Sequence, residues 1–101
     1  MSKQLFLIIL TYKKDLDEID ALMKPHVAYL KKYYKLNKFI VSGRQIPRTG
    51  GIILCAADDF NEVEAIVKED PFVKKKAAEY SIIKFLSSMC STDFTSLLHA
   101  L

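Results

Sequence analysis

The chain has 101 residues, half of them hydrophobic, and carries 15 Lys and Arg against 12 Asp and Glu. Its 27% charged and 11% aromatic content, with only three Gly and three Pro, excludes a disordered, collagen-like or low-complexity chain, and the length fits one domain, 1–101, rather than two. A chain this short buries only about 60–65% of its unfolded surface, so it holds more apolar side chain than a lone monomer can hide.

Residues 4–11 are apolar and β-rich and give way to Tyr12-Lys13-Lys14, which predicts a first strand. The apolar run 5–10 is too short to span a bilayer, and the charges that follow it, with no small-residue cleavage site, do not read as a signal peptide. Asp15 or Asp17 then caps a helix, with Asp17, Glu18 and Asp20 at its positive end. From Ile19 the residues Leu22, Met23, His26, Tyr29, Leu30 and Tyr33 recur at helical spacing, predicting one amphipathic helix to about Tyr34. Pro25 lacks a donor and crowds the preceding turn, so a kink or restart near Met23-Lys24 is expected.

Asn37-Lys38 ends that pattern, and Phe39-Ile40-Val41 gives a second strand closing at Ser42-Gly43. Residues 44–51, with Pro47, Gly50 and Gly51, predict a loop to a third strand at 52–56. Asp58 or Asp59 caps a second helix, Phe60–Lys68, which Asp70-Pro71 ends because the residue before a proline is pushed out of helical geometry. A short connection through Phe72-Val73 leads to a fourth strand at 79–86, and Phe94, Leu97, Leu98 and Leu101 predict a short terminal helix within an extension at about 88–101.

The order β-α-β-β-α-β predicts an α+β, ferredoxin-like fold: an antiparallel sheet with both helices on one face. A sheet with one wet face alternates apolar and polar residues, yet 5–10, 39–41 and 52–57 are unbroken apolar runs. Both faces are therefore apolar and the helices cover only one. The expected solution is a C2 homodimer with the open faces stacked.

The charge gives little case for nucleic acid: Lys31-Lys32 and Lys74-Lys75-Lys76 read as solvated helix faces, and phosphate contacts there would show as steep salt dependence. Cys55 and Cys90 have neither C-x-x-C nor zinc spacing, which points to a reduced, cytosolic protein. No phosphate loop, H-E-x-x-H, Ser-centred elbow or metal-ligand cluster is present in the sequence, and neither a metal nor a cofactor is expected.

His26 lies on the inward stripe of the first helix, where an imidazole is either a satisfied core group or an acid/base. Asp70 reads as a turn carboxylate, but both helices lie on one side of the sheet, so it can meet His26, fix its tautomer and leave the other nitrogen for proton transfer. Arg44 and Arg48 flank the loop as anion holders or solvated charges, Tyr12, Tyr80 and Ser42 are candidate pocket hydroxyls, and His99 reads as surface or interface.

Three segments, His26-Val27-Ala28-Tyr29-Leu30, Phe39-Ile40-Val41-Ser42-Gly43 and Asp70-Pro71-Phe72, resemble the YciI-like (YCII-related) family over about residues 4–87. That resemblance implies the dimeric α+β barrel fold and a pocket whose His-Asp pair maps to His26 and Asp70, with Ser42, Arg44 and Phe72 expected to contact a small-molecule substrate. The family is similar to dimeric α+β barrel enzymes acting on small aromatic or lactone-like substrates, including a dehydrochlorinase that works by proton transfer. The implied function is a cofactor-free lyase or isomerase; the competing expectation is a non-catalytic binding or interaction protein.

Overall fold

In the computed structural model, residues 4–94 are described. Four strands, β1 (Gln4–Tyr12), β2 (Phe39–Arg44), β3 (Gly50–Ala57) and β4 (Ala78–Phe85), form one antiparallel sheet in the order β2-β3-β1-β4. Helices α1 (Leu16–Ala21), α2 (Met23–Lys35), α3 (Phe60–Lys68) and the single-turn α4 (Pro71–Lys74) complete the expected α+β arrangement. The central strand β1 pairs with β3 from Gln4↔Ala57 to Thr11↔Gly50 and with β4 from Leu5↔Phe85 to Tyr12↔Ala78.

The first helical region is two helices. Asp15 accepts from the Glu18 N–H at 3.0 Å and caps α1, which stops at Ala21; Leu22 then carries the chain into α2. The restart falls just before Pro25 for a physical reason: proline becomes the third residue of α2, in the first turn, where backbone N–H groups have no intrahelical acceptor and a missing one costs nothing. At the other end Asn37 adopts a left-handed conformation, φ 59°, while its N–H donates to Tyr34 O and that of Lys38 to Tyr33 O. This doubly bonded C-cap turns the chain straight into β2.

Two further bounds differ from the sequence expectation. β2 runs on to Arg44 and β3 starts at Gly50, so the loop expected at 44–51 is only 45–49. Gly50 is required there, because a Cβ would sit 1.7 Å from the Leu10 carbonyl oxygen. Asp70-Pro71 both ends α3 and starts α4: Asp70 accepts from the Phe72 N–H at 2.9 Å and Pro71 occupies the first helical position, a start signal in place of the plain connection that was expected. Of the expected terminal helix, one 3-10 turn forms at Thr92–Phe94; the rest of it, with His99, lies outside the described residues.

Alternate residues of β1, Phe6, Ile8 and Leu10, are at most 2% exposed and pack with Ile53, Cys55, Val63, Val67 and Phe72 between sheet and helices. Burying each large side chain contributes about 1.5–3 kcal/mol. The opposite face carries Leu7, Ile9, Ile52 and Leu54, half-buried, with Val41, Ile83 and Phe85 exposed. It is apolar and uncovered by any helix of the described residues.

One irregularity decides what the edge strand offers to each side. Phe39 pairs with Cys55 but Val41 pairs with Leu54, so Ile40 is an extra residue, a β-bulge. In a regular strand Phe39, Val41 and Gly43 would share the helix-side face. The bulge instead sends Val41 and Gly43 to the open face and places Ser42, opposite Ile53, and Arg44, opposite Gly51, on the side of Phe39.

Candidate functional site

The site begins with the stripe of α2 that turns inward. His26 is buried at 9% exposure, and its Nδ1 lies 2.9 Å from Asp70 Oδ1. Asp70 is 1% exposed, and the same oxygen accepts from the Phe72 N–H, so it caps α4 while holding the imidazole. An ionised carboxylate only accepts, which puts the hydrogen on Nδ1 and leaves Nε2 as the basic nitrogen. The ring is fixed from a second direction by Phe72, stacked at 4.1 Å between centroids and 16° between planes. Carboxylate, imidazole and phenyl ring thus form one rigid unit at the junction of α2 and α4.

Buried side chains flank the pair. Tyr29, one turn further along α2, donates to the Ile66 carbonyl at 2.9 Å, and its phenol is held well above the usual tyrosine range by burial first and by the Asp70 charge second. Asp70 Oδ2 is buried and has no partner among the described residues. Such a carboxylate oxygen is costly to leave unmatched unless it holds the electrostatics of a nearby cation or an imidazole that gains a proton.

His26 lines a cleft of about 370 Å³ between the helices and the sheet. Its roof is α2, with Met23, Val27 and Leu30; its floor is the start of β3 and the end of β2, with Ile53, Ser42 and Arg44. Phe72 closes one end, and Tyr12 and Arg48 also line the cavity. Of the residues singled out from the sequence, His26, Ser42, Arg44 and Phe72 meet in this cleft, with Asp70 directly behind His26. Arg48 is neither a free anion holder nor a solvated charge: it is 2.5 Å from Asp20 in an ion pair at the cleft wall. Tyr80 is not a pocket hydroxyl; its O–H donates to Glu64 at 3.3 Å.

Two groups in the site carried no signal in the sequence. Asp20 reads there as one of several first-turn acids, and its bond to Arg48 spans 28 positions. Tyr34, half-buried, places its hydroxyl 2.5 Å from that of Ser42. Its place one step beyond Tyr33 suggested only the end of a helix; the bulge that turns Ser42 toward it is invisible in an unbroken apolar run.

The lysine runs stay on the surface. Lys74, Lys75 and Lys76 are exposed, as is Lys31, and Lys32 pairs with Glu69 at 2.9 Å. Cys55 is fully buried and Cys90 partly so, and both are free thiols. Burial pushes the Cys55 thiol up to about 12. Among the described residues no helix is long and apolar enough to cross a membrane, and no group of three or more His, Cys, Asp or Glu side chains is placed to hold a metal ion.

Comparison with known proteins agrees with the fold. The YCII-related domain matches residues 4–86. Among solved structures, 5-chloro-2-hydroxyhydroquinone dehydrochlorinase (TftG) from Burkholderia phenoliruptrix AC1100, in complex with 2,5-dihydroxybenzoquinone, superposes with a TM-score of 0.71 at 24% identity, over 80% of this chain and 92% of that one. At that identity the likeness speaks to the fold. The search of curated proteins returned no match.

Proposed function

Because the chain belongs to the YCII-related domain family, we propose that it is a cofactor-free enzyme of the lyase or isomerase type that moves a proton on a small organic substrate bound in the cleft. The observation that carries this reading is the 2.9 Å contact between His26 Nδ1 and a carboxylate buried to 1% exposure, on a ring that lines a cavity. Asp70 orients the imidazole and stabilises the imidazolium that forms when Nε2 accepts a proton; stacked Phe72 stops the ring from rotating away. A positioned acid/base of this kind supplies about 10²–10⁴-fold in rate. The fold shared with a dehydrochlorinase supports the same chemistry.

The proposal extends to the assembly. The apolar face bearing Leu7, Ile9, Leu54 and Phe85 fits a second copy of the chain, stacked face to face with C2 symmetry, in a cytosolic homodimer.

The test is solvent exchange. Small carbon acids such as 1,3-dicarbonyls, hydroxylated phenols and unsaturated lactones are incubated in D2O, and loss of their C–H signals is followed by NMR. Wild-type protein accelerates exchange of at least one, and His26→Asn abolishes it. That replacement keeps an N–H near Asp70 while removing the basic nitrogen. A second reading, a non-catalytic small-molecule-binding or interaction protein, draws on Asp70 having a structural duty at the start of α4. It holds if His26→Asn leaves exchange at the wild-type level and alters only the melting temperature.

A further inference from the structure

The hairpin tip that joins β2 to β3 is held differently on its two sides. On the sheet side the ties are backbone: the Gln45 N–H donates to Gly50 O and the Tyr12 N–H to Thr49 O, both at 2.9 Å. On the helix side the tie among the described residues is one side-chain pair, Arg48 with Asp20 in the last turn of α1. Packing adds little: Ile46 in the tip is 94% exposed, and Gly43 and Gly51 put no side chain at its root.

The same pair spans the cleft. Asp20 lines it from the helical side and Arg48 from the hairpin. The cleft measures about 370 Å³, yet the imidazole within it is only 9% exposed. There is room inside, and entry is restricted. Because α1 stops at Ala21 and α2 restarts at Met23, the contact joins the tip to a short helix that carries none of His26, Asp70 and Phe72. Its strength suits a contact that opens. Asp20 is more than half exposed and Arg48 partly so, and such an ion pair shifts an equilibrium only a few-fold. Arg48 Nε is buried with no acceptor among the described residues, a cost borne by the closed arrangement.

We propose that the Arg48–Asp20 pair is a latch across the cleft that controls entry to His26. Closed, it holds the tip of the β2–β3 hairpin against α1. Open, the tip swings away from α1 about its root at Gly43 and Gly51 and admits a molecule to the free Nε2. The latch is electrostatic, so salt loosens it. It governs access and not chemistry, and it operates whether His26 moves a proton or only binds what enters.

The test is the rate at which diethyl pyrocarbonate acylates His26 in the full chain, followed by peptide-resolved mass spectrometry so that His99 is read separately. The reagent labels the free Nε2 and needs no turnover. Asp20→Asn and Arg48→Gln each raise the rate about 1.5- to 5-fold, the weight of an exposed ion pair. The double variant is no faster than the faster single one, because both remove the same contact. Exchanging the charges, Asp20→Arg with Arg48→Asp, returns the rate to the wild-type level. Raising the ionic strength from about 0.01 to about 1 M, which shortens the screening length from about 30 to about 3 Å, speeds labelling of the wild type and leaves the single variants unchanged. The two single variants decide the matter. A field effect on the imidazole moves them in opposite directions, since one loses a negative and the other a positive charge; a latch moves them the same way. Labelling of buried Cys55 stays at the wild-type rate throughout. The proposal is overturned if the two variants shift His26 labelling in opposite directions, if neither shifts it, or if Cys55 labelling rises with that of His26, which marks general loosening.

Discussion

Removing the carboxylate of Asp70 tests whether the His26 unit is one structure or two neighbours. Asp70→Ala strands two buried donors, the Nδ1–H of His26 and, by deleting the cap of α4, the Phe72 N–H, each left-over donor costing about 1–3 kcal/mol. The sum, reduced by whatever relaxation water permits, is about 3 kcal/mol, which in a chain of this size lowers Tm by about 12–24 °C. Asp70→Asn is the control. Its amide oxygen still accepts from both donors at the 2.9 Å positions seen for Oδ1, so the loss is the difference between a charge-assisted and a neutral hydrogen bond, about 1 kcal/mol. Thermal melts measure both variants, and long-range 1H–15N NMR of the imidazole reads the tautomer directly. The Nδ1–H form dominates in wild type and mixes with the Nε2–H form in Asp70→Ala. Equal melting temperatures for Asp70→Ala and Asp70→Asn, or an unchanged tautomer in the alanine variant, would refute the argument.

Four further outcomes follow from the same geometry. Gly50→Ala drives a methyl into the Leu10 carbonyl 1.7 Å away and unfolds or severely destabilises the chain, whereas Gly43→Ala, with nothing within 4 Å of the added carbon, changes Tm by only a few degrees in a melt. Cys55, fully buried and with its thiol pushed up to about 12, reacts with a thiol reagent only as the protein unfolds, while Cys90 reacts in the native state; rapid labelling of both would contradict the packing of β3. Raised folded-state values for Cys55 and Tyr29 mean that the native state holds these protons more tightly than the unfolded chain; the stability they confer is complete below about pH 8.5 and falls as pH rises, by up to about 1.4 kcal/mol per pH unit for each titrating group. Cys55→Ala with Tyr29→Phe therefore flattens the alkaline limb in denaturant titrations at pH 8 to 11. Light scattering is expected to give twice the 11.5 kDa chain mass, reduced to the monomer by Leu54→Lys on the open face.

Much of this molecule is legible in its sequence because its strands are long apolar runs and its helix starts are chemically marked. Asp15 and Asp59 each accept from a backbone N–H at a helix start, and each is visible in the sequence as an acidic residue ahead of an apolar period. His26 stands out because a polar ring on an otherwise apolar stripe needs a partner, and Asp70 because both helices lie on one side of the sheet and bring its carboxylate within reach of that ring. The single-turn α4 was not legible, since four residues carry no periodicity; only the cap and the proline at its first position betray it. Nor was the Asp20–Arg48 pair, where a contact 28 positions apart joins two residues that each look like ordinary surface charge.

The facing of Ser42 and Arg44 shows where sequence reasoning stops and why. Alternation along a strand has a period of two, so one inserted residue exchanges the faces of everything beyond it. In Phe39-Ile40-Val41 all three residues are apolar, and any of them suits a sheet that is apolar on both sides; hydrophobicity therefore holds no information about which one is extra. The register supplies it: Phe39 opposes Cys55 in the core, Val41 opposes Leu54 on the open face, and Ile40 has no partner of its own. The same both-faced hydrophobicity that implies a second subunit is what conceals the bulge. Two consequences then share one cause: the strand can offer Val41 to the open face and Ser42 with Arg44 to the cleft because its apolar run tolerates a change of register that a sheet with one wet face would resist.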